Sequence, residues 1–215
     1  MHCTSKAVFT GTLLTVWSIA ELPFLAGNVA LDFVNTAEER GHPDADDALR
    51  TPGDLRLWGQ RYGLLSSQTP PANKENDRAE LHHAKGAREL LYGLFLAQIH
   101  HRTAPHDDLD RLSRFVASAH EAGTLEQSGY GQLHWQWSDS DLATVRHVAV
   151  SAAVDLLGDQ PSTRLKQCPG EHCGWFFIDT TKRGNRRWCS MRECGQEAKT
   201  TRRRERSKPT RRVAP

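Results

Sequence analysis

The sequence predicts an α+β protein. It has a mainly helical N-terminal domain with short strands and a β-hairpin, then a small treble-clef-like module built on four cysteines. Three observations predict this. Between residues 50 and 160, apolar residues recur at helical spacing over several long segments. Around residues 123–138 the period shifts to two, as in a hairpin. Four of the five cysteines then fall as two Cys-x4-Cys pairs, Cys168/Cys173 and Cys189/Cys194, with fifteen residues between the pairs. At 215 residues the chain has room for one medium domain plus a metal module. Its 25% charged and 38% hydrophobic content is ordinary for a soluble protein.

In chain order, residues 1–20 combine a single Lys with an apolar run diluted by Thr, Gly and Ser. The run is too short to span a membrane and lacks a clear cleavage site, so an N-terminal extension is expected rather than a signal sequence. The predicted main domain covers 21–160. Residues 23–36 alternate imperfectly and predict a short strand running into a further strand or a helix start. Asp32, Asn35 and Thr36 are candidates to line a ligand cleft; local capping and turn hydrogen bonds are the alternative for these residue types. An acidic loop over 38–50 leads to Thr51-Pro52-Gly53-Asp54, a helix start. Leu55, Leu57, Trp58 and Tyr62 give that helix an apolar side, and Gly63 ends it. Residues 66–73 form a linker, followed by a long helix over 74–102 whose stripe is Leu81, Ala84, Ala87, Leu91, Leu94 and Phe95. Past Pro105, Asp107 or Asp108 caps a further helix.

Residues 124–127 and 133–137 flank a Ser-Gly-Tyr-Gly turn, and Leu133, Trp135 and Trp137 are expected to face the core. Asp139 or Ser140 caps a helix over 141–157 that is apolar nearly all round, the expected centre of the domain. His82, His83, His100, His101 and His106 contain no i, i+4 pair, so packing or exposure accounts for them better than a metal.

The predicted zinc module covers 161–208. Two thiol pairs at this spacing suit a tetrahedral structural zinc site, each pair chelating from one knuckle. Two disulfides or four unrelated thiols are the alternatives; disulfides belong to oxidising compartments. Cys3 lies far from the cluster and reads as an uninvolved free thiol. Gly174 follows the second ligand, where a knuckle often needs a positive backbone dihedral. Residues 175–178 form an apolar strand, 179–185 the tip of a hairpin, and Ser190 caps a helix over 191–206. On that helix Arg192, Gln196, Lys199, Arg203 and Arg206 project within a sector of roughly 80°.

The charge is polarised. Residues 161–215 carry 15 Lys+Arg against 5 Asp+Glu, and the remainder 13 against 21. A basic nucleic-acid module attached to an acidic domain shows this asymmetry. The tail, 209–215, is basic and expected to be disordered without a partner.

The run Cys168…Cys173-Gly174-Trp175-Phe176…Asp179…Asn185-Arg186-Arg187-Trp188-Cys189-Ser190-Met191…Cys194-Gly195 resembles the CGNR zinc finger. That finger ends bacterial proteins described as stress-induced transcription regulators. The family's Cys-Gly-Asn-Arg motif reads here Cys194-Gly195-Gln196-Glu197, so its Asn and Arg are replaced. Gly27-Asn28-Val29-Ala30-Leu31-Asp32-Phe33-Val34-Asn35-Thr36 and Arg88-Glu89-Leu90-Leu91-Tyr92 resemble segments of the family's N-terminal ABATE domain. The resemblance implies a DNA-binding regulator, and a zinc module built on four reduced thiols argues for the cytoplasm.

The function expected is that of a zinc-dependent regulator with one structural Zn2+ and an N-terminal domain that senses a small-molecule effector or forms a homodimer. Arg186, Arg187, Lys199, Arg202, Arg203 and Arg206 are candidates for phosphate contacts, Arg192 and Gln196 for base edges. No phosphate loop, G-x-G-x-x-G, G-x-S-x-G or H-E-x-x-H occurs. Four thiolate ligands leave a zinc ion no open position for water, so the metal is expected to be structural and the protein not an enzyme. Two alternatives stay open: a zinc-stabilised protein-interaction module, and an N-terminal domain that acts on a small molecule.

Overall fold

The computed structural model describes residues 18–38, 40, 47–68, 74–158, 164–171 and 173–207. Expectations for residues 1–17 with Cys3, the linker at 69–73 and the tail from 208 lie outside them. Among the described residues are six α-helices and two two-stranded antiparallel sheets.

The first helix, α1 (Val29–Val34), settles the two continuations left open for this run in favour of the helix start. Asn28 caps it by accepting the Ala30 N–H at 2.8 Å. Residues 30–34 are all buried, so the run has no exposed face from which to read a period. α2 (Pro52–Arg61) begins with the expected signals: Thr51 and Asp54 form a capping box, with Pro52 in the first turn. Its Leu55 and Trp58 are fully buried. Gly59 lies so close to Leu65 and Val145 that an added Cβ would sit 2.7 Å from each.

α3 (Lys74–Ile99) buries Ala84, Ala87, Leu91, Leu94 and Phe95 as the stripe predicts. Arg88 on the same helix makes a two-pronged pair with Asp47, at 2.7 and 2.8 Å, and donates to Thr36 Oγ1 at 3.1 Å. α4 (His106–Ala122) starts one residue before the expected caps. Pro105 holds the cap position without a side-chain bond, and Asp107 and Asp108 sit in the first turn, where the helix dipole favours them.

The hairpin of β1 (Thr124–Gln127) and β2 (Leu133–Gln136) forms as the sequence predicts, with Leu125 opposite Trp135 and Gln127 opposite Leu133. The core face expected for it does not. Every residue of both strands is exposed, and Leu133 keeps 63% of its surface in water. The hairpin is anchored from its base instead: Trp135 stacks on His120 of α4, and Trp137 donates its indole N–H to the Ala119 carbonyl at 2.7 Å. Period two separates two faces of a ribbon and does not say that either is covered.

α5 (Thr144–Gly158) packs against α1, α3 and α4 and is the central helix. Two buried ion pairs tie it and α2 to α3. Arg146 pairs with Glu80 at 2.8 and 2.9 Å, and Arg56 with Asp77 at 3.2 Å. His147 is buried beside them, and its Nε2 has no hydrogen-bond partner among the described residues. Burial, helped by the neighbouring Arg146 charge, pushes this imidazole from its ordinary 6.5 down to about 4. Between these values the folded protein keeps His147 neutral while the unfolded chain takes up a proton. The stability contributed is thus complete above pH 6.5 and lost as pH falls toward 4, by at most about 3 kcal/mol. In urea unfolding, His147→Leu is expected to flatten the pH dependence in this window; an unchanged slope would assign it to other groups.

β3 (Leu165–Gln167) and β4 (Phe176–Ile178) form the second sheet, with Lys166 opposite Phe177. The sequence predicts β4 but pairs it with a strand after 185. The partner is the three-residue β3, which precedes the first knuckle and is too short to show a period. The C-terminal module is built into the core. Cys168, Trp175, Phe177 and Cys189 share one buried cluster with Phe33, Trp58 and Val145, and Phe176 a second with Leu31, Leu91 and Phe95. None of the described helices is long and apolar enough to cross a membrane.

Candidate metal centre and basic helix

The turn between β3 and β4 is the first knuckle. The Cys168 N–H donates to the Trp175 carbonyl at 2.7 Å and the Cys173 N–H to that of Gly170 at 3.3 Å. Gly174 has φ +69°, the positive dihedral expected of it. The second knuckle is the turn before α6 (Cys194–Ser207), whose first residue is a cysteine. The helix begins three residues later than its predicted start at 191, leaving Arg192 in the preceding turn. Gly195 N–H bonds the Ser190 carbonyl at 3.0 Å and packs too closely on Met191 and Trp188 to accept a side chain freely.

The two knuckles bring the four sulfurs of Cys168, Cys173, Cys189 and Cys194 within 4.8 Å of one another. Cys173 Sγ lies 3.5 Å from Cys189 Sγ, which lies 3.6 Å from that of Cys194. All four are free thiols, so the disulfide alternative falls. A tetrahedron with zinc–sulfur bonds of about 2.3 Å has sulfurs about 3.8 Å apart. The donor set and its spacing fit such an ion, with every coordination position taken by sulfur. Four thiolates this close repel one another, and a divalent cation at their centre offsets that repulsion.

Behind the sulfurs lies a polar frame that the cysteine spacing does not reveal. Asp179 is 1% exposed. It accepts four hydrogen bonds: from Lys166 Nζ at 2.7 Å, Thr181 N–H at 2.9 Å, Thr181 Oγ1 at 2.6 Å and Arg186 N–H at 2.7 Å. Burial alone would raise this carboxyl, but the Lys166 ammonium and the other donors hold it well below the usual carboxylate range. Lys166 also donates to the Gly184 and Arg186 carbonyls. The segment 179–185, expected as a hairpin tip, is therefore part of a loop wrapped around one carboxylate.

Arg186 is the second part of the frame and corrects an expectation. Its guanidinium donates to the carbonyls of Trp188, Cys189, Ile178 and Leu25 and lies 4.4 Å over the Phe177 ring. With four of its five N–H donors engaged on backbone carbonyls, Arg186 positions the second knuckle rather than presenting an open fork to a phosphate. A sequence does not distinguish a guanidinium committed to carbonyls from a free one.

Asp32, Asn35 and Thr36 are also corrected. They are 4%, 3% and 0% exposed, and each is bonded within the fold. Asp32 accepts from the Leu25 and Ala26 N–H groups, both at 3.0 Å, and from Tyr62 Oη at 3.2 Å. Burial raises its pKa, and those donors oppose the rise. Thr36 donates to the Phe33 carbonyl at 2.7 Å. Asn35 bonds both backbone groups of Phe176, donating to its carbonyl at 2.9 Å and accepting its N–H at 2.8 Å. Asn35 clamps α1 to β4 of the metal module, Asp32 ties α1 to the preceding segment and to Tyr62, and Thr36 bonds Phe33 and Arg88.

Along α6, Gln196, Lys199, Arg202, Arg203 and Arg206 are all exposed, as are Arg187 and Arg192 before it. Arg187 stacks 5.0 Å from the Trp188 ring. Arg187 and Arg202 meet Glu171 and Glu197 around an open cavity of about 220 Å³ between the first knuckle and α6. The five histidines singled out in the sequence form no metal cluster among the described residues.

The family model for ABATE, described as "Putative stress-induced transcription regulator", matches residues 27–160. The chain belongs to the ABATE family. The model for the CGNR zinc finger matches residues 164–207. The resemblance read from the sequence holds at both ends, and the second match contains all four clustered cysteines. No curated protein matches the chain significantly. In this ABATE protein the two matched regions share their core through Asn35 and Phe176.

Proposed function

We propose that the chain is a cytoplasmic DNA-binding transcription regulator. One structural Zn2+, held by Cys168, Cys173, Cys189 and Cys194, fixes the base of its DNA-contacting helix. We place the ABATE domain at 21–160 and the zinc module at 161–208. One observation carries the reading: α6 takes its first residue from the cysteine cluster and then presents Lys199, Arg203 and Arg206 with Gln196 along an exposed face. A helix immobilised at its root loses little freedom when it docks in a groove, and arginine forks match phosphates and guanine edges. Lys199, Arg202, Arg203, Arg206 and Arg187 contact phosphates; Gln196 and Arg192 reach base edges. No step needs catalysis. The ABATE domain senses an effector or forms a homodimer, for which the exposed Leu125, Tyr130 and Leu133 of the hairpin supply apolar surface.

Binding of genomic fragments, titrated against salt, tests the reading. Lys199→Ala with Arg203→Ala is expected to weaken binding at least tenfold at every sequence and to reduce the log–log salt slope by about 2. Unchanged affinity in this double variant would remove α6 from the interface and favour a protein-interaction module. Sedimentation of the same sample checks the dimer: a single-chain mass at micromolar concentration counts against it.

A further inference from the structure

On the side of the ABATE domain formed by α3, α4 and α5 lies an open cavity of about 320 Å³, lined by His83, Arg111, Arg114, Phe115, Ser118 and Arg146. We propose that it binds a small phosphate-bearing ligand. The site gives the sensing role above a ligand class, and rests on that reading for its consequence though not for binding itself.

The sequence of α4 builds one wall. Arg111, Arg114, Phe115 and Ser118 follow the spacing i, i+3, i+4, i+7, so they share one face of the helix. His83 faces them from α3. Arg146 of α5 is the recessed member, only 6% exposed. Glu80 holds its Nε and Nη2 at 2.8 and 2.9 Å, which fixes the plane of the guanidinium. The remaining nitrogen, Nη1, makes no hydrogen bond among the described residues. Neither do the side chains of His83, Arg114 and Ser118. Arg111 meets Asp108 at 3.3 Å, but with 47% and 30% of the side chains in water that pair is screened and weak.

Three guanidinium groups line one concavity while, among the described residues, two carboxylates, Glu80 and Asp108, pair with them. An anion with several acceptor oxygens resolves this excess. A phosphate accepts from Arg111 and Arg114 at the rim and from Arg146 at the floor, with His83 and Ser118 as further donors. Phe115, its ring 5.7 Å from the Arg146 guanidinium, offers a flat apolar wall to the organic part of a phosphate ester. The volume suits a small ligand. Duplex DNA fits less well, because its phosphates follow the outside of a wide cylinder and do not reach a recessed group.

Calorimetric titration of the full chain with inorganic phosphate and with ribose 5-phosphate tests the proposal. Saturable binding of both is expected, tighter for the ester. Arg111→Gln with Arg114→Gln, both exposed positions, is expected to weaken it at least tenfold with an unchanged melting temperature. Lys199→Ala with Arg203→Ala is expected to bind ribose 5-phosphate as the parent does, which separates this site from α6. No saturable binding, or equal binding by the Arg111/Arg114 variant, overturns the proposal. Loss of duplex binding in that variant without ribose 5-phosphate binding by the parent also overturns it, and assigns the cluster to DNA. Phosphate binding that leaves DNA affinity unaltered upholds the site and removes only the sensing role.

Discussion

Replacement of Cys189 by serine is expected to strip the metal from the protein and to lower its melting temperature by roughly 10–20 °C. The argument begins with ligand count. Three thiolates and a hydroxyl hold zinc far more weakly than four thiolates, and binding to a structural site is folding free energy, with apparent values of about 10–16 kcal/mol in small zinc modules. That exceeds most of the 5–15 kcal/mol that keeps an ordinary domain folded. The loss cannot stay local here. Cys189 and Cys168 sit in the cluster that contains Phe33, Trp58 and Val145, so a collapsed knuckle opens the main core. Each kcal/mol is worth about 2–4 °C in a chain of this size, so even a loss of about 5 kcal/mol reaches the stated range. Metal analysis and thermal unfolding of Cys189→Ser and of the chelator-treated parent measure the effect, and Cys3→Ser serves as the silent control. Metal content and melting temperature unchanged in Cys189→Ser would refute the four-sulfur centre.

The cysteine cluster was legible in the sequence because a chelating pair is local: four residues between two thiols already make a knuckle. The frame that orients it was not. Asp179 reaches Lys166 across thirteen positions and the Arg186 N–H across seven, and each looks like an ordinary loop or surface residue until β3 and β4 pair. Arg186 was misplaced for the same reason, its arginine identity being compatible with a phosphate or with the carbonyls it meets. The long helix α3 was legible because twenty-six residues give a period many turns to repeat, whereas the six residues of α1, five of them buried, give it none. The facing of the β1–β2 hairpin failed because alternation fixes relative sides, whereas α4 meets the ribbon only through Trp135 and Trp137 and leaves its strands exposed.

Asn35→Leu is expected to be nearly as damaging as loss of a ligand, while leaving metal content intact. Leucine matches the volume but offers neither donor nor acceptor. The Phe176 N–H and carbonyl, now paired to Asn35 at 2.8 and 2.9 Å, would both stay buried without those partners. Each orphaned backbone group costs about 1–3 kcal/mol, so the pair costs about 2–6 kcal/mol, or roughly 5–20 °C. The remaining ties between the N-terminal segment and the module, Ile178 N–H to the Ala26 carbonyl at 2.8 Å and Arg186 to the Leu25 carbonyl at 3.3 Å, keep β4 in place and leave the four sulfurs together. Amide exchange should therefore accelerate first at Phe176 and along β4, with the knuckles still protected by metal. The result discriminates between the two roles of this residue. A side chain that lined a ligand cleft would change ligand response and leave stability near the parent's; a clamp between α1 and the zinc module does the reverse. Thr36→Val, which loses only the local bond to Phe33 and one contact with Arg88, should fall well short of it in the same measurement.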